Sequence, residues 1–259
     1  MNPATLPTIL VPGAWMGAWI WEAICEQLSG LGIPADTLTL AGLEANSDPQ
    51  VIAAVTLSDH VQQLANLVMQ SRVPVVLVSH SYSSMITGQV ADQMPEHVAG
   101  LVHFGGFLPS NGRSLMDDWG DAENERNAER ADIEEAGNLW MPPTEEMLAF
   151  EPDIPAEDRA FLAENFTPHP GYTVTDRAVM KSPTEAQPTT YVAMSAESED
   201  AAWKDAPEIA REARGWRRLY IQSGHWPMVS NPDATLALIE QEVLHYSSSQ
   251  GSQIEAHPQ

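Results

Sequence analysis

Cysteine occurs once in this 259-residue chain, at Cys25, so no internal disulfide can form and no cluster of thiolates can hold a metal. Basic side chains are also scarce. Twelve Lys and Arg stand against 36 Asp and Glu, a formal charge of −24, and Lys181 and Lys204 are the lysines. A surface of that sign repels phosphate backbones and anionic bilayers, which excludes nucleic acid and membrane as natural partners. Solubility or a salty habitat accounts for the acidity as well as substrate selection does. Long uninterrupted apolar runs are missing too. Ala4 to Trp21 carries no charge, but Pro7, Pro12, Gly13 and Gly17 break it, so it reads as strand, turn and helix rather than a membrane span. Met1 to Pro7 has no basic residue ahead of an apolar core, hence no secretory signal is read and a cytoplasmic location is expected. No glycine-rich phosphate loop follows any strand, since Gly105-Gly106 is too short, and no metal-ligand pattern occurs. No cofactor and no metal are therefore expected.

What the chain does contain is a rhythm of short apolar runs alternating with helical patterns. Thr8–Val11, Pro34–Leu40, Val73–Val78, Val98–Phe104, Thr189–Met194 and Arg218–Gln222 read as strands. Several are apolar on both faces and rich in β-branched residues, as buried parallel strands are. Helices are predicted over Ala18–Leu31, after Ser58-Asp59 (Val61, Leu64, Leu67, Val68), after Ser84 (Met85, Ile86, Val90) and from Asn231-Pro232-Asp233 onward. The expected architecture is an α/β fold: a mostly parallel sheet of about six strands flanked by helices, with ligands at the C-terminal strand edge. Residues 1–108 and 184–247 form the expected core. Residues 109–183 are acidic, proline-rich and irregular, and are expected to form an inserted helical cap. Residues 248–259 read as a disordered tail.

Three strand ends carry the chemistry. Val73–Val78 runs into Ser79-His80-Ser81-Tyr82-Ser83, a turn of small residues that would hold the Ser81 hydroxyl clear of the sheet, with serine at both positions where the nucleophile elbow G-x-S-x-G has glycine. A hydroxyl attacks only when a base removes its proton, and the strand Arg218–Gln222 delivers one in Ser223-Gly224-His225-Trp226. Ser81 is the expected nucleophile and His225 the base. His80 is expected to point behind its strand and His103 to be buried. His60, His97, His169, His245 and His257 are expected on the surface. An acid should steady the imidazole; the loop after Thr189–Met194 offers Glu197, Glu199 and Asp200, of which Glu197 lies nearest the strand. The oxyanion donors are expected to be the backbone N–H groups of Tyr82 and Ala14, the latter after Pro12-Gly13, where a missing Cβ lets the chain pass close to substrate. Trp15 and Trp226 are the expected pocket walls, while Trp19 and Trp21 are expected to pack helix on sheet.

Val11-Pro-Gly-Ala-Trp-Met-Gly-Ala-Trp-Ile-Trp21, Val78-Ser-His-Ser-Tyr82 and Gly224-His-Trp-Pro-Met228 together resemble the α/β-hydrolase family, in the branch of plant methyl esterases and hydroxynitrile lyases. The order oxyanion loop, nucleophile, histidine is that of this fold. The resemblance covers the two core segments and not the insertion. It departs at Pro12, where the branch usually has histidine, at the elbow serines, and at Glu197, where it usually has aspartate. Lyases of the branch place threonine at the position of Gly13 and lysine at that of Trp226, so the resemblance implies hydrolysis rather than cyanohydrin cleavage. The expected function is hydrolysis of a small neutral carboxylic ester by a monomer or homodimer. The alternatives are an amide, carbamate or lactone hydrolase, a lyase, or a binding protein without turnover.

Overall fold

The computed structural model describes residues 5–255, so the expectations for residues 1–4 and 256–259, His257 among them, lie outside the described residues. Among the described residues eight strands occur: β1 (Thr8–Val11), β2 (Ala35–Thr37), β3 (Val75–His80), β4 (Val98–Phe104), β5 (Leu139–Trp140), β6 (His169–Pro170), β7 (Thr189–Ser195) and β8 (Arg217–Gln222). Six form one sheet in the order β2-β1-β3-β4-β7-β8, every neighbouring pair parallel. The order reverses between β1 and β3, and a crevice at such a switch point is where open α/β sheets bind ligands.

Period-two alternation explains why the strands read as continuous apolar runs. Leu10, Val76, Val78, Val102, Phe104 and Val192 face one layer, made by helix Glu22–Gly30 and the last helix through Ile239, Val243 and Tyr246. Ile9, Val11, Val75, Leu77 and Leu101 face the other, made by helices Leu57–Val68 and Ser84–Gln93. Each such aliphatic side chain removed from water contributes about 1.5–3 kcal/mol. Helix Leu57–Val68 is capped two residues before the Ser58-Asp59 cap read from sequence. Thr56 is the cap: its hydroxyl accepts the Asp59 N–H at 3.2 Å while the Asp59 carboxylate accepts the Thr56 N–H at 2.9 Å. The predicted second strand shrinks to three residues at the sheet edge, where one partner strand is all that fixes it.

Between β4 and β7 run helix Glu123–Glu135, the antiparallel pair β5–β6 and helix Ala156–Asn165. This segment packs on both layers, through Leu148, Ile154, Leu162 and Phe166 on one side and Leu115, Met116, Ile133, Trp140 and Val174 on the other. At the C-terminal end the last helix runs from Pro232 through Glu255, past the boundary expected at residue 247. Ser249 returns its hydroxyl to the His245 carbonyl at 3.0 Å. Among the described residues no helix is long and apolar enough to cross a membrane.

Candidate active site

Ser81 stands where β3 becomes helix, with φ at +52° and only 7% of its surface exposed. A non-glycine residue in the left-handed region costs about 1–3 kcal/mol and persists only where its surroundings over-determine it. Here the flanking serines do so. Ser83 Oγ accepts the His80 N–H at 2.9 Å and is within donating distance of the Val11 and His80 carbonyls at 2.8 and 3.0 Å. Ser79 Oγ lies 2.9 Å from Ser84 Oγ and 2.6 Å from His103 Nδ1. All four residues partnering in this way, Ser79, Ser83, Ser84 and His103, are fully buried. The two serines that replace the elbow glycines are thus wired into the turn. Gly106 completes the seat, because a Cβ there would collide with Ser84 Oγ.

The loop after β1 approaches from the other side. A Cβ on Gly13 would lie 2.6 Å from His80 Nδ1 and 3.0 Å from the His80 carbonyl oxygen, closer than side-chain carbons come. Ala14 is buried, and its N–H makes no backbone hydrogen bond among the described residues. Trp15, at φ +65°, is tied to the inserted segment three ways: its N–H donates to His169 Nδ1 at 3.3 Å, its Nε1–H to the Trp140 carbonyl at 3.0 Å, and its carbonyl accepts the Thr167 N–H at 2.9 Å.

The loop after β8 is held by its main chain. His80 Nε2 sits 2.6 Å from the His225 carbonyl oxygen, the Glu151 carboxylate accepts the His225 N–H, and Asp153 Oδ2 accepts the Gly224 N–H at 2.6 Å. The imidazole of His225 lies against two rings, His80 at 4.9 Å and Trp226 at 4.8 Å. Burial lowers its pKa to about 4, so at neutral pH it is uncharged and able to accept a proton. Ser81 and His225 are therefore both neighbours of His80, one in the chain and one in space. No hydrogen bond joins the Ser81 hydroxyl to the His225 ring among the described residues; such bonds are often loose before substrate binds.

Glu197 is exposed, as are Glu199 and Asp200, and none of the three touches His225 among the described residues. The carboxylates that reach the histidine loop come instead from the insertion. Burial raises the pKa of Glu151, with the charge of Asp153 adding to it and the His225 N–H opposing it. Nothing local in the sequence of 109–183 marks either residue as one that folds back on the loop after β8.

Several histidines lie elsewhere than expected. His60 and His169 are fully buried rather than on the surface. His60 Nε2 donates to the Ala41 carbonyl at 2.8 Å, which leaves Nδ1 to accept the Tyr82 hydroxyl at 2.7 Å. His169 packs edge-on against Tyr82 at 4.5 Å. His80 does not point behind its strand but toward the β8 loop. Trp19 packs on Phe161 and Phe166 of the insertion, whereas Trp21 packs under the sheet near Phe104 as expected. Trp140, Trp15, Phe166 and Trp226 make a connected aromatic wall, with centroid separations of 4.3, 6.3 and 6.1 Å from one ring to the next.

A family model described as "Alpha/beta hydrolase family" matches residues 8–238. A carbendazim hydrolyzing esterase of Nocardioides sp. (strain SG-4G) is 32% identical over 111 residues, 42% of this chain and 45% of that protein. Methylesterase 2 of Arabidopsis thaliana is 27% identical over 108 residues, 41% of each. The aligned part thus spans less than half the length of these curated relatives. Among solved structures, an extracellular alpha/beta-hydrolase from Paenibacillus species with homology to tobacco salicylic acid binding protein 2 superposes with a TM-score of 0.77, covering 91% of this chain and 98% of that one. At 16% identity this likeness shows the fold.

Proposed function

We propose a function from one premise: the chain belongs to the alpha/beta hydrolase family, whose model spans residues 8–238. It is a serine hydrolase of small, neutral carboxylic esters. Ser81 Oγ attacks the ester carbonyl carbon while His225 takes the hydroxyl proton. The N–H groups of Ala14 and Tyr82 hold the oxygen that becomes negative. His225 then returns the proton to the departing alcohol, leaving the acyl group on Ser81. Water, deprotonated by the same imidazole, releases the acid. Glu197 is the candidate for the third place of the triad by its position just after β7, and Asp153 and Glu151 are the candidates by nearness to the main chain of the histidine loop.

The observation that carries the reading is the backbone of Ser81, strained to φ +52° at the end of β3, one residue from a side chain bonded to the His225 loop. The esterase names of the partly aligned relatives support it. So does Trp226, which stands where a lyase of this resemblance would need lysine. The aromatic wall suits an apolar acyl or alcohol part, and the −24 charge favours neutral over anionic substrates.

A fluorophosphonate probe tests the proposal. Labelling should fall on Ser81, vanish in Ser81→Ala and slow sharply in His225→Ala, and a panel of neutral esters should turn over faster than matching amides, carbamates, lactones, cyanohydrins or free-carboxylate analogues. Full turnover by Ser81→Ala would overturn it. The serines at both glycine positions of the elbow favour one second reading, a ligand-binding protein without turnover; ligand binding with no labelling would establish that instead.

A further inference from the structure

We infer that His80 is a positioning residue: a neutral imidazole that fixes the main chain of His225 and thereby sets the base against the nucleophile. The inference rests on the reading of His225 as that base. His80 is fully buried, and a carbonyl oxygen can only accept, so the 2.6 Å contact with the His225 oxygen requires the proton on Nε2. Nδ1 then carries a lone pair. It has no hydrogen-bond partner among the described residues and faces Gly13, where a Cβ would come within 2.6 Å of it. One side chain thus touches the oxyanion loop at Gly13, the histidine loop at the His225 carbonyl, and the elbow through its own backbone next to Ser81. Burial and the neighbouring His225 keep the ring uncharged, with a pKa lowered to about 3, so the tautomer holds across the working range of pH.

The nearby charged groups do not supply this function. Glu151 and Asp153 hold the N–H side of the same loop, at His225 and Gly224, and neither reaches the carbonyl. Without His80 the loop would keep its anchor on one face and lose it on the other, leaving the imidazole free to swing.

The pair His80→Gln and His80→Met isolates the hydrogen bond, because the two side chains have similar length and only the amide can donate. With p-nitrophenyl acetate as probe, His80→Met is expected to lower kcat about 10–100-fold with KM nearly unchanged, as a small misplacement of a reacting group does. His80→Gln should recover most of that loss. In a His225→Ala background, His80→Met should cost nothing further, since the two act as a unit. Equal kcat for His80→Met and wild type, equal loss in both variants, or a full additional loss in the His225→Ala background would each overturn the inference. Nitrogen NMR of histidine-labelled wild-type protein tests it without any variant: His80 should show a protonated, hydrogen-bonded Nε2 and a bare Nδ1, and the opposite tautomer would refute it. If His225→Ala labels with fluorophosphonate as fast as wild type, the reading of the base has failed, and the nitrogen spectrum still decides whether His80 holds the loop.

Discussion

Ser79 and His103 are register partners on β3 and β4, and their side chains meet between the strands, Oγ to Nδ1, at 2.6 Å. Ser79 is also the first residue of the elbow, where glycine is usual. Restoring that glycine by Ser79→Gly is expected to destabilise the protein by about 1–3 kcal/mol, because it strips a partner from Ser84 Oγ and from an imidazole already buried with Nε2 unpaired. Chemical denaturation checks this. A variant as stable as wild type would mean the hydroxyl bridge contributes nothing.

Gly13→Ala should damage activity more than stability. The added methyl would press on His80 Nδ1 and on the His80 carbonyl, and the loop that presents the Ala14 N–H would have to back away. Loss of an oxyanion donor costs about 10²–10³ in kcat. Steady-state kinetics alongside a melting curve separates the two effects, and an unchanged kcat would remove Ala14 from the oxyanion hole.

The third place of the triad is decided by comparing Asp153→Ala with Glu197→Gln. Asp153 is expected to matter, since its removal frees the Gly224 N–H and loosens the loop, lowering kcat about 10–100-fold. Glu197, exposed and away from the ring, is expected to change kcat less than about twofold by the usual weight of surface charges. The reverse pattern assigns the place to Glu197.

Acid should unfold this protein before it silences the base. His225, with a pKa of about 4, stays neutral far below the usual histidine range, so the acid limb of kcat/KM set by its own titration should fall near pH 4. Stability has a higher threshold. His60, His80, His103 and His225 are all lowered by burial, to about 4, 3, 3 and 4, whereas in the unfolded chain they protonate near 6.5. Between those values the unfolded state binds more protons, so stability is complete above about pH 6.5 and falls as pH drops, by about 1.4 kcal/mol per pH unit per histidine. Glu151 acts in the opposite sense: its raised pKa adds stability at low pH that is lost as pH rises through its titration. Melting curves from pH 7.5 to 4.5 should decline steadily, and a flat profile would contradict the four neutral histidines.

The six strands of the main sheet were legible because burial on both faces leaves an unbroken apolar signature, as in Val75–Val78, and Ser81 and His225 stood out because each lies in the turn that follows a strand. What lay beyond sequence was everything decided by distant packing. His60 and His169 follow no predicted strand and so read as surface residues, yet one is bonded to Tyr82 and the other to Trp15. His80 kept its side chain turned to a loop far along the sequence, a direction that no local pattern encodes. Asp153 and Glu151 were lost in an acidic stretch where each carboxylate resembles the next. Glu197 stands out among the acids after Thr189–Met194 as the one nearest the strand end, and nearness along the chain carries no information about which segment folds against the histidine loop.

The tethers from the insertion to Trp15, Gly224 and His225 bear on any attempt to retarget this protein. Swapping residues 109–183 for a segment that lacks the imidazole, carbonyl and carboxylates fastening the two loops would change selectivity and dismantle reactivity in one stroke. Libraries that randomise the aromatic wall while sparing Trp140's main chain, Glu151, Asp153 and His169 should yield altered preference with turnover intact.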